Sequence, residues 1–301
     1  MKRFTVAGVQ VALAEPNNIE RNEKKALSWV PKAIKECGAE LIVYPETCNT
    51  GFETGLTADR LWDLVDSIPG KTTLAAQRAA REHGVYIVWN TYERGAKRGT
   101  VFNSSVLIGR NGDIIGVYRK THPFPVERVE GGGWCTAGDA AEPFDTDLAR
   151  IGLMICYDGD FPDLSTTYAL KGAEVIVRSS ALLRTYDHWY AMNFARAYEN
   201  HVYLVGVNAV GSDAAGNFYF GHSQVISPNG WRLAQARCAE EVVYAELSPD
   251  PIKHIYHGIR SPQTFDHLED RNVGVYDVMR EGRSSFEPGK RVPYTKSIGN
   301  K

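Results

Sequence analysis

The stretch Arg150-Ile-Gly-Leu-Met-Ile-Cys156-Tyr-Asp-Gly-Asp-Phe-Pro-Asp163 is an apolar run that ends on a cysteine and then turns sharply polar. Ile151, Leu153, Met154 and Ile155 do not alternate with polar residues, which suits a strand buried on both faces, although periodicity alone does not separate this from a short helix. Asp158-Gly159 reads as a tight turn, and Pro162 and Asp163 suit the first turn of a following helix. A thiol held between a strand end and a helix amino terminus feels the positive end of the helix dipole, which favours the nucleophilic thiolate. Taken alone, the segment leaves two roles open for Cys156: a reactive thiol, or a small core residue, the usual fate of free cysteine.

Two further segments bear on that choice: Leu41-Ile-Val-Tyr-Pro45-Glu46 near the amino end, and Tyr118-Arg119-Lys120 before the cysteine. With the cysteine segment and its continuation Ala169-Leu-Lys-Gly172-Ala-Glu-Val-Ile-Val-Arg178, they resemble the motifs of the carbon–nitrogen hydrolase (nitrilase) superfamily, in the same order. The resemblance runs from about Phe4 to about Leu247 and is strongest to the aliphatic amidase and formamidase branch. It implies a catalytic set of Glu46, Lys120 and Cys156. Each residue type suits thiol catalysis of amide cleavage, which needs a nucleophile, a proton carrier and positive groups aimed at the developing oxyanion. Glu46 follows a buried strand and Pro45, where desolvation raises a carboxyl pKa towards the range useful for proton transfer. Lys120 ends a strand, where an ammonium can lean into a cleft and share an oxyanion with a backbone N–H such as that of Tyr157.

Pro123-Phe-Pro-Val-Glu127-Arg-Val-Glu130 resembles the amidase loop that carries a second glutamate, which holds the lysine and the substrate. The alignment needs a one-residue gap, so Glu127 and Glu130 compete for that place. The candidate substrate-binding residues are Tyr157, Phe124, Arg178 and Ser180; Arg178 belongs to the short-chain amidase pattern and has a structural role as its other reading. A Cys–His pair is the rival arrangement for thiol chemistry, with His122 and His222 as candidates. It would leave the glutamate and lysine motifs unexplained, and loop bracing or packing suits both histidines. Asp158-Gly-Asp160 lacks the twelve-residue ligand pattern of a calcium loop, and Gly131-Gly-Gly133 lacks the lysine and hydroxyl residue of a phosphate cradle, so no metal and no cofactor are expected.

The elements that must carry these residues can be read in order. Phe4–Leu13 alternates as a strand; a helix from about Ile19 to Cys37 contains Pro31, which should kink or split it. Leu41–Tyr44 is a second buried strand, and strand-helix-strand at this spacing implies a β-α-β unit. Helices follow near Ala58–Val65 and Thr72–His83, then strands over Val85–Tyr92, Val101–Ile108 and Asp113–Arg119, the last two joined by a two-residue hairpin turn at Asn111-Gly112. Residues 121–147 have no clear period and read as a long functional loop. The pattern then repeats: strand to Cys156, helix Pro162–Lys171, strand Glu174–Arg178, helix from about Tyr186 to Asn200, strand Val202–Asn208. Further strands are expected at Phe218–Ser227, Trp231–Ala236 and Val242–Leu247.

These patterns give the α/β class. The resemblance adds a four-layer α-β-β-α sandwich whose monomers pair through helices, hence a homodimer or higher homo-oligomer. Residues 1–260 are expected to form the hydrolase domain, and 261–301 a carboxyl-terminal arm involved in subunit contacts.

At 301 residues the chain can bury a sizeable core, and its 43% apolar and 23% charged residues are ordinary for a soluble globular protein. A formal net charge of -2 gives no reason to expect nucleic acid or an anionic membrane as partner. With no apolar stretch of membrane-spanning length and no signal-peptide pattern, the expected location is cytoplasmic. The five cysteines are odd in number and form no C-x-x-C pair, against a disulfide framework or structural zinc.

The expected activity is hydrolysis of a carboxylic amide to acid and ammonia through a cysteine thioester. Nitrilases of the superfamily typically follow the cysteine with Trp-Glu; Tyr157-Asp158 here favours an amidase. An N-carbamoyl amine or amino-acid hydrolase is the alternative of the same class, since Thr47 stands where short-chain amidases usually carry tyrosine. A non-catalytic scaffold of the same fold is the alternative of another class.

Overall fold

The computed structural model describes residues 1–12, 18–213, 216–250, 256–257, 263–264, 266–277 and 279. The chain forms β1 (Phe4–Gln10), α1 (Ile19–Leu27), α2 (Val30–Cys37), β2 (Leu41–Val43), α3 (Ala58–Leu64), α4 (Lys71–His83), β3 (Tyr86–Arg94), β4 (Val101–Ile108) and β5 (Ile114–Arg119). After a long connection come β6 (Phe144–Asp145), β7 (Arg150–Ile155), α5 (Pro162–Leu170), β8 (Val175–Ser180), α6 (Tyr186–Tyr198) and β9 (Tyr203–Asn208). The remaining strands are β10 (Val210–Ser212), β11 (Phe218–Phe220), β12 (Gln224–Ile226), β13 (Arg232–Gln235) and β14 (Glu241–Leu247).

Two six-stranded sheets result, ordered β14-β1-β2-β3-β4-β5 and β13-β12-β9-β8-β7-β6. Each has a parallel centre, β1-β2-β3 in one and β7-β8-β9 in the other, flanked by antiparallel strands.

Side chains alternate across a strand, and this decides which layer each residue joins. Val6, Leu41, Val43 and Val88 pack in one cluster with Ile151, Leu153, Val175, Val177, Val205 and Val207, between the sheets. Their neighbours Ala7, Val9, Ile42, Ile87 and Trp89 face the other way and meet Ala26, Val30, Ala33, Ala76 and Ala80 of α1, α2 and α4. On the second sheet the outward positions meet α5 and α6, as Gly152 does against Tyr168 and Gly206 against Trp189. The layers are therefore α-β-β-α. At Gly8 a side chain would stand 2.7 Å from Val207 Cγ2, so the missing Cβ lets the sheets close on each other.

Pro31 does split the first helix, and it takes the second position of α2, where its missing N–H costs nothing. Two expectations change. The β4–β5 connection is not a two-residue turn: Gly112 N–H donates to Gly109 O at 2.8 Å, closing a four-residue turn with a register shift at Leu107/Ile108. Phe218–Ser227 is not one strand, because Gly221 and His222 take positive φ (70° and 55°) and divide it into β11, paired with β10, and β12, paired with β9. The expected arm, 261–301, lies largely outside the described residues. Among the described residues no helix is long and apolar enough to cross a membrane.

Candidate active site

Glu46, Lys120 and Cys156 each stand just past the carboxyl end of a strand: β2, β5 and β7. The first two belong to one sheet and the third to the other, so the packing of the two inner faces brings them together. All are buried, Glu46 and Lys120 with no exposed surface. Lys120 Nζ lies 2.7 Å from Glu46 Oε1 and 2.7 Å from Glu127 Oε1. Of the two glutamates left open by the sequence, Glu127 is the one on the lysine, while Glu130 is exposed.

The carboxylates are held differently. Glu46 Oε1 also accepts from Asn103 Nδ2 at 2.8 Å, and its Oε2 accepts from the Ala181 backbone N–H at 2.8 Å. Glu127 Oε1 accepts from the Phe124 N–H at 3.1 Å, and its buried Oε2 has no partner among the described residues. Burial raises the Glu127 carboxyl from 4.5 to about 7; Lys120 works against this and Glu46 with it. Burial also opposes the charge on Lys120, but Glu127 and Glu46 outweigh it and hold the ammonium well above the usual lysine range. Among the described residues Glu127 accepts only from Lys120 and the Phe124 N–H, so hydrogen bonding does little to offset the burial that raises its carboxyl.

Cys156 occupies a positive φ (45°) at the start of a 3₁₀ turn, Cys156–Asp160, which separates it from α5. Such a conformation is costly for a non-glycine residue and persists only where its surroundings enforce it. Arg178 enforces it from the helix side, because Val175 and Val177 face the sheet seam and the alternate position points outward. Its Nε and Nη2 donate to Cys156 O at 2.8 and 2.5 Å, and Nη1 donates to Asn193 Oδ1 at 2.6 Å. Burial lowers the guanidinium to about 10, which leaves it charged at neutral pH.

The thiol does not behave as the helix-dipole argument predicts. Burial, followed by the charge on Glu46, pushes Cys156 up, with Lys120 and Arg178 pulling the other way. A resting thiol of this kind needs a base to remove its proton.

Asp158, read in the sequence as a turn residue beside Cys156 and set aside as a metal ligand, is a buried brace between the Cys156 and Lys120 strand ends. Its Oδ2 accepts from the Ile155 N–H at 2.9 Å and from Tyr118 OH at 2.8 Å, and its Oδ1 accepts from the His122 N–H at 3.0 Å. Ile155 immediately precedes Cys156 and Tyr118 stands two residues before Lys120, so one carboxylate fixes both strand ends. A polar residue three positions after an apolar strand end was the available signal, since it can reach back to that strand's N–H. His122 Nδ1 lies 3.0 Å from the same carboxylate and its ring stacks on Phe161 at 3.9 Å. His222 contacts Gln235 and Tyr186. Both histidines brace loops.

Phe124 lines the cavity at Cys156 with Phe52, Ala181, Leu182, Leu183 and Arg184. Tyr157 packs edge-on against Phe124 at 5.2 Å. Ser180 is fully buried with no hydrogen-bond partner for its hydroxyl among the described residues, and Arg178 lies beneath the turn and off the cavity lining. Phe52 and Asn103 carried no motif and enter only through the fold.

Fold and constellation together define a class: the chain belongs to the carbon–nitrogen hydrolase family, whose sequence pattern it matches over residues 5–255. This is the superfamily that the motifs resemble. The chain is similar to a nitrilase of Pyrococcus abyssi, 37% identical over 231 residues that cover 76% of this chain and 84% of the relative. It is also similar to the omega-amidase NIT2 of Homo sapiens, 28% identical over 252 residues that cover 81% and 88%. A crystal structure of a carbon–nitrogen hydrolase from Helicobacter pylori shares the fold with a TM-score of 0.78, over 92% of this chain and 98% of that one at 23% identity.

Proposed function

We propose that the protein hydrolyses a carboxylic amide to a carboxylic acid and ammonia through a thioester on Cys156. The chain is a hydrolase of carbon–nitrogen bonds other than peptide bonds, with an omega-amidase among its relatives. The observation that carries the finer reading is the Lys120 ammonium at 2.7 Å from both Glu46 and Glu127, beside the cavity that Cys156 lines.

In this mechanism Glu46 takes the thiol proton as the sulfur attacks the carbonyl carbon. Lys120 spends two of its three donors on the glutamates, and the third, with the Tyr157 backbone N–H, meets the oxyanion. The intermediate collapses with cleavage of the C–N bond, and Glu46 delivers its proton to the departing ammonia. Water then enters, loses a proton to Glu46 and attacks the thioester; the sulfur leaves and recovers the proton. Atoms balance as amide plus water to acid plus ammonia, and no cofactor is consumed. Glu127 holds the lysine and accepts from the substrate amide with its free oxygen.

The test is ammonia release across short amides, aryl amides, N-carbamoyl compounds and nitriles, with mass spectrometry of acid-quenched enzyme. An acyl adduct on Cys156 with an amide substrate is expected. Turnover of nitriles or N-carbamoyl compounds with none of any amide would overturn the reading.

A further inference from the structure

Resting on the amidase reading, we infer that Asp160 and Arg184 form a latch that fits the acyl pocket to uncharged acyl groups and excludes those carrying a carboxylate. The cavity at Cys156 measures about 20 Å³, room for little more than a water molecule before a substrate enters. Its wall is hydrocarbon from Phe52, Phe124, Ala181, Leu182 and Leu183, and among the described residues that line it Arg184 is the one charged side chain.

A free guanidinium there would be a natural clamp for a substrate carboxylate. Arg184 is already taken. Its Nη2 donates to Asp160 Oδ1 at 2.7 Å and its Nη1 to Oδ2, a two-pronged pair, and the Tyr157 ring lies 5.7 Å from its central carbon. Nor can Asp160 easily swing aside. Arg178 Nη2 stands 3.5 Å from its Oδ1, and its backbone carbonyl accepts from Arg196 Nη2 at 3.2 Å. Asp160 ends the turn that begins with Cys156, while Arg184 leads into α6, so the pair also ties the nucleophile's turn to the pocket rim.

A carboxylate entering this pocket would have to compete with Asp160 for one guanidinium or lose its hydration against hydrocarbon. Either course costs binding that an uncharged acyl group of the same shape does not lose.

The experiment compares kcat/KM for malonamate and its uncharged shape analogue 3-methylbutanamide, with propionamide as reference. Wild type should favour 3-methylbutanamide over malonamate by about tenfold or more. Asp160→Asn, which keeps the shape but frees Arg184, should narrow that ratio by about tenfold through a gain on malonamate. Arg184→Met should leave the uncharged amide favoured, and this arm stands even if Asp160→Asn fails to fold. The latch is overturned if wild type uses malonamate as well as its analogue, if folded Asp160→Asn leaves the ratio unmoved, or if Arg184→Met selectively loses malonamate. Hydrolysis of propionamide with neither larger amide accepted also overturns it, because size and not charge then sets the limit. Failure to release ammonia from any amide instead overturns the amidase reading, and the latch with it.

Discussion

Arg178 reaches from the helix side of the second sheet to grip the backbone carbonyl of Cys156 with two donors, Nε at 2.8 Å and Nη2 at 2.5 Å. The guanidinium passes over Gly159, where a Cβ would fall 2.1 Å from its central carbon. The missing side chain at 159 is therefore part of how the Cys156 turn is held. Arg178→Met leaves Cys156 O and Asn193 Oδ1 without their donor and should destabilise the fold by about 1–3 kcal/mol for each. Loosening the turn should lower kcat by about 10²-fold. Gly159→Ala should reproduce the activity loss by displacing the same guanidinium. Urea unfolding and steady-state rates check both; full kcat in folded Arg178→Met would show that the grip does not aim the thiol.

Cys156→Ala should fold with a stability change of about 1 kcal/mol or less, because one sulfur leaves only a small void. Turnover and the acyl adduct should both vanish. A tenth of wild-type activity remaining would exclude covalent catalysis by this residue; circular dichroism and ammonia release provide the measurements.

Glu46→Gln keeps the size of the side chain but removes the proton carrier, and acylation should slow by about 10² to 10⁴. Lys120→Ala should cost about 10² to 10³ through loss of the oxyanion donor. It also leaves two buried carboxylates without their cation, so its stability should fall too, unlike that of Glu46→Gln. Single-turnover acylation with unfolding curves separates the two roles, and losses under tenfold for either would mean the role is misplaced.

Glu127 gives a pH dependence of stability. Its carboxyl is raised by burial from 4.5 in the unfolded chain to about 7 in the fold, so between these values the folded state holds the proton more tightly. Stability contributed by this group is present in full below 4.5, declines as pH rises through that window, and is constant above about 7. Glu127→Gln removes the dependence, so wild type should lose ground to the variant between pH 5 and pH 8. Urea midpoints at the two values test this, and wild type gaining ground instead would reverse the sign.

The parts of this architecture legible in the sequence are those set by local chemistry. Pro31 announced the break between α1 and α2, and the unbroken apolar run before Cys156 announced a strand covered on both faces. The placement of Arg178 was within reach as well, since apolar Val175 and Val177 leave it the opposite face. The break at Gly221-His222 was hidden because apolar residues continue past it, and only pairing with β10 on one side and β9 on the other divides the segment. The Asp160–Arg184 pair spans 24 residues and depends on how the turn after β7 meets the loop after β8. The raised thiol of Cys156 was misjudged from its place in the chain, because burial and the charge on Glu46 push it up and the helix begins only beyond an intervening turn.

The first sheet is closed by the last of its strands to be made. β1 pairs along its whole length with β14, from Phe4 against Leu247 to Gln10 against Glu241, so more than two hundred residues separate the partners. During synthesis β1 therefore leaves the ribosome long before its antiparallel neighbour exists, with one row of backbone donors and acceptors uncovered. A chain that stops before Glu241 already carries Glu46, Lys120 and Cys156, yet it presents an open apolar edge to every other nascent copy. Premature termination between Cys156 and Glu241 should therefore yield material that aggregates or is degraded, and not a shortened enzyme.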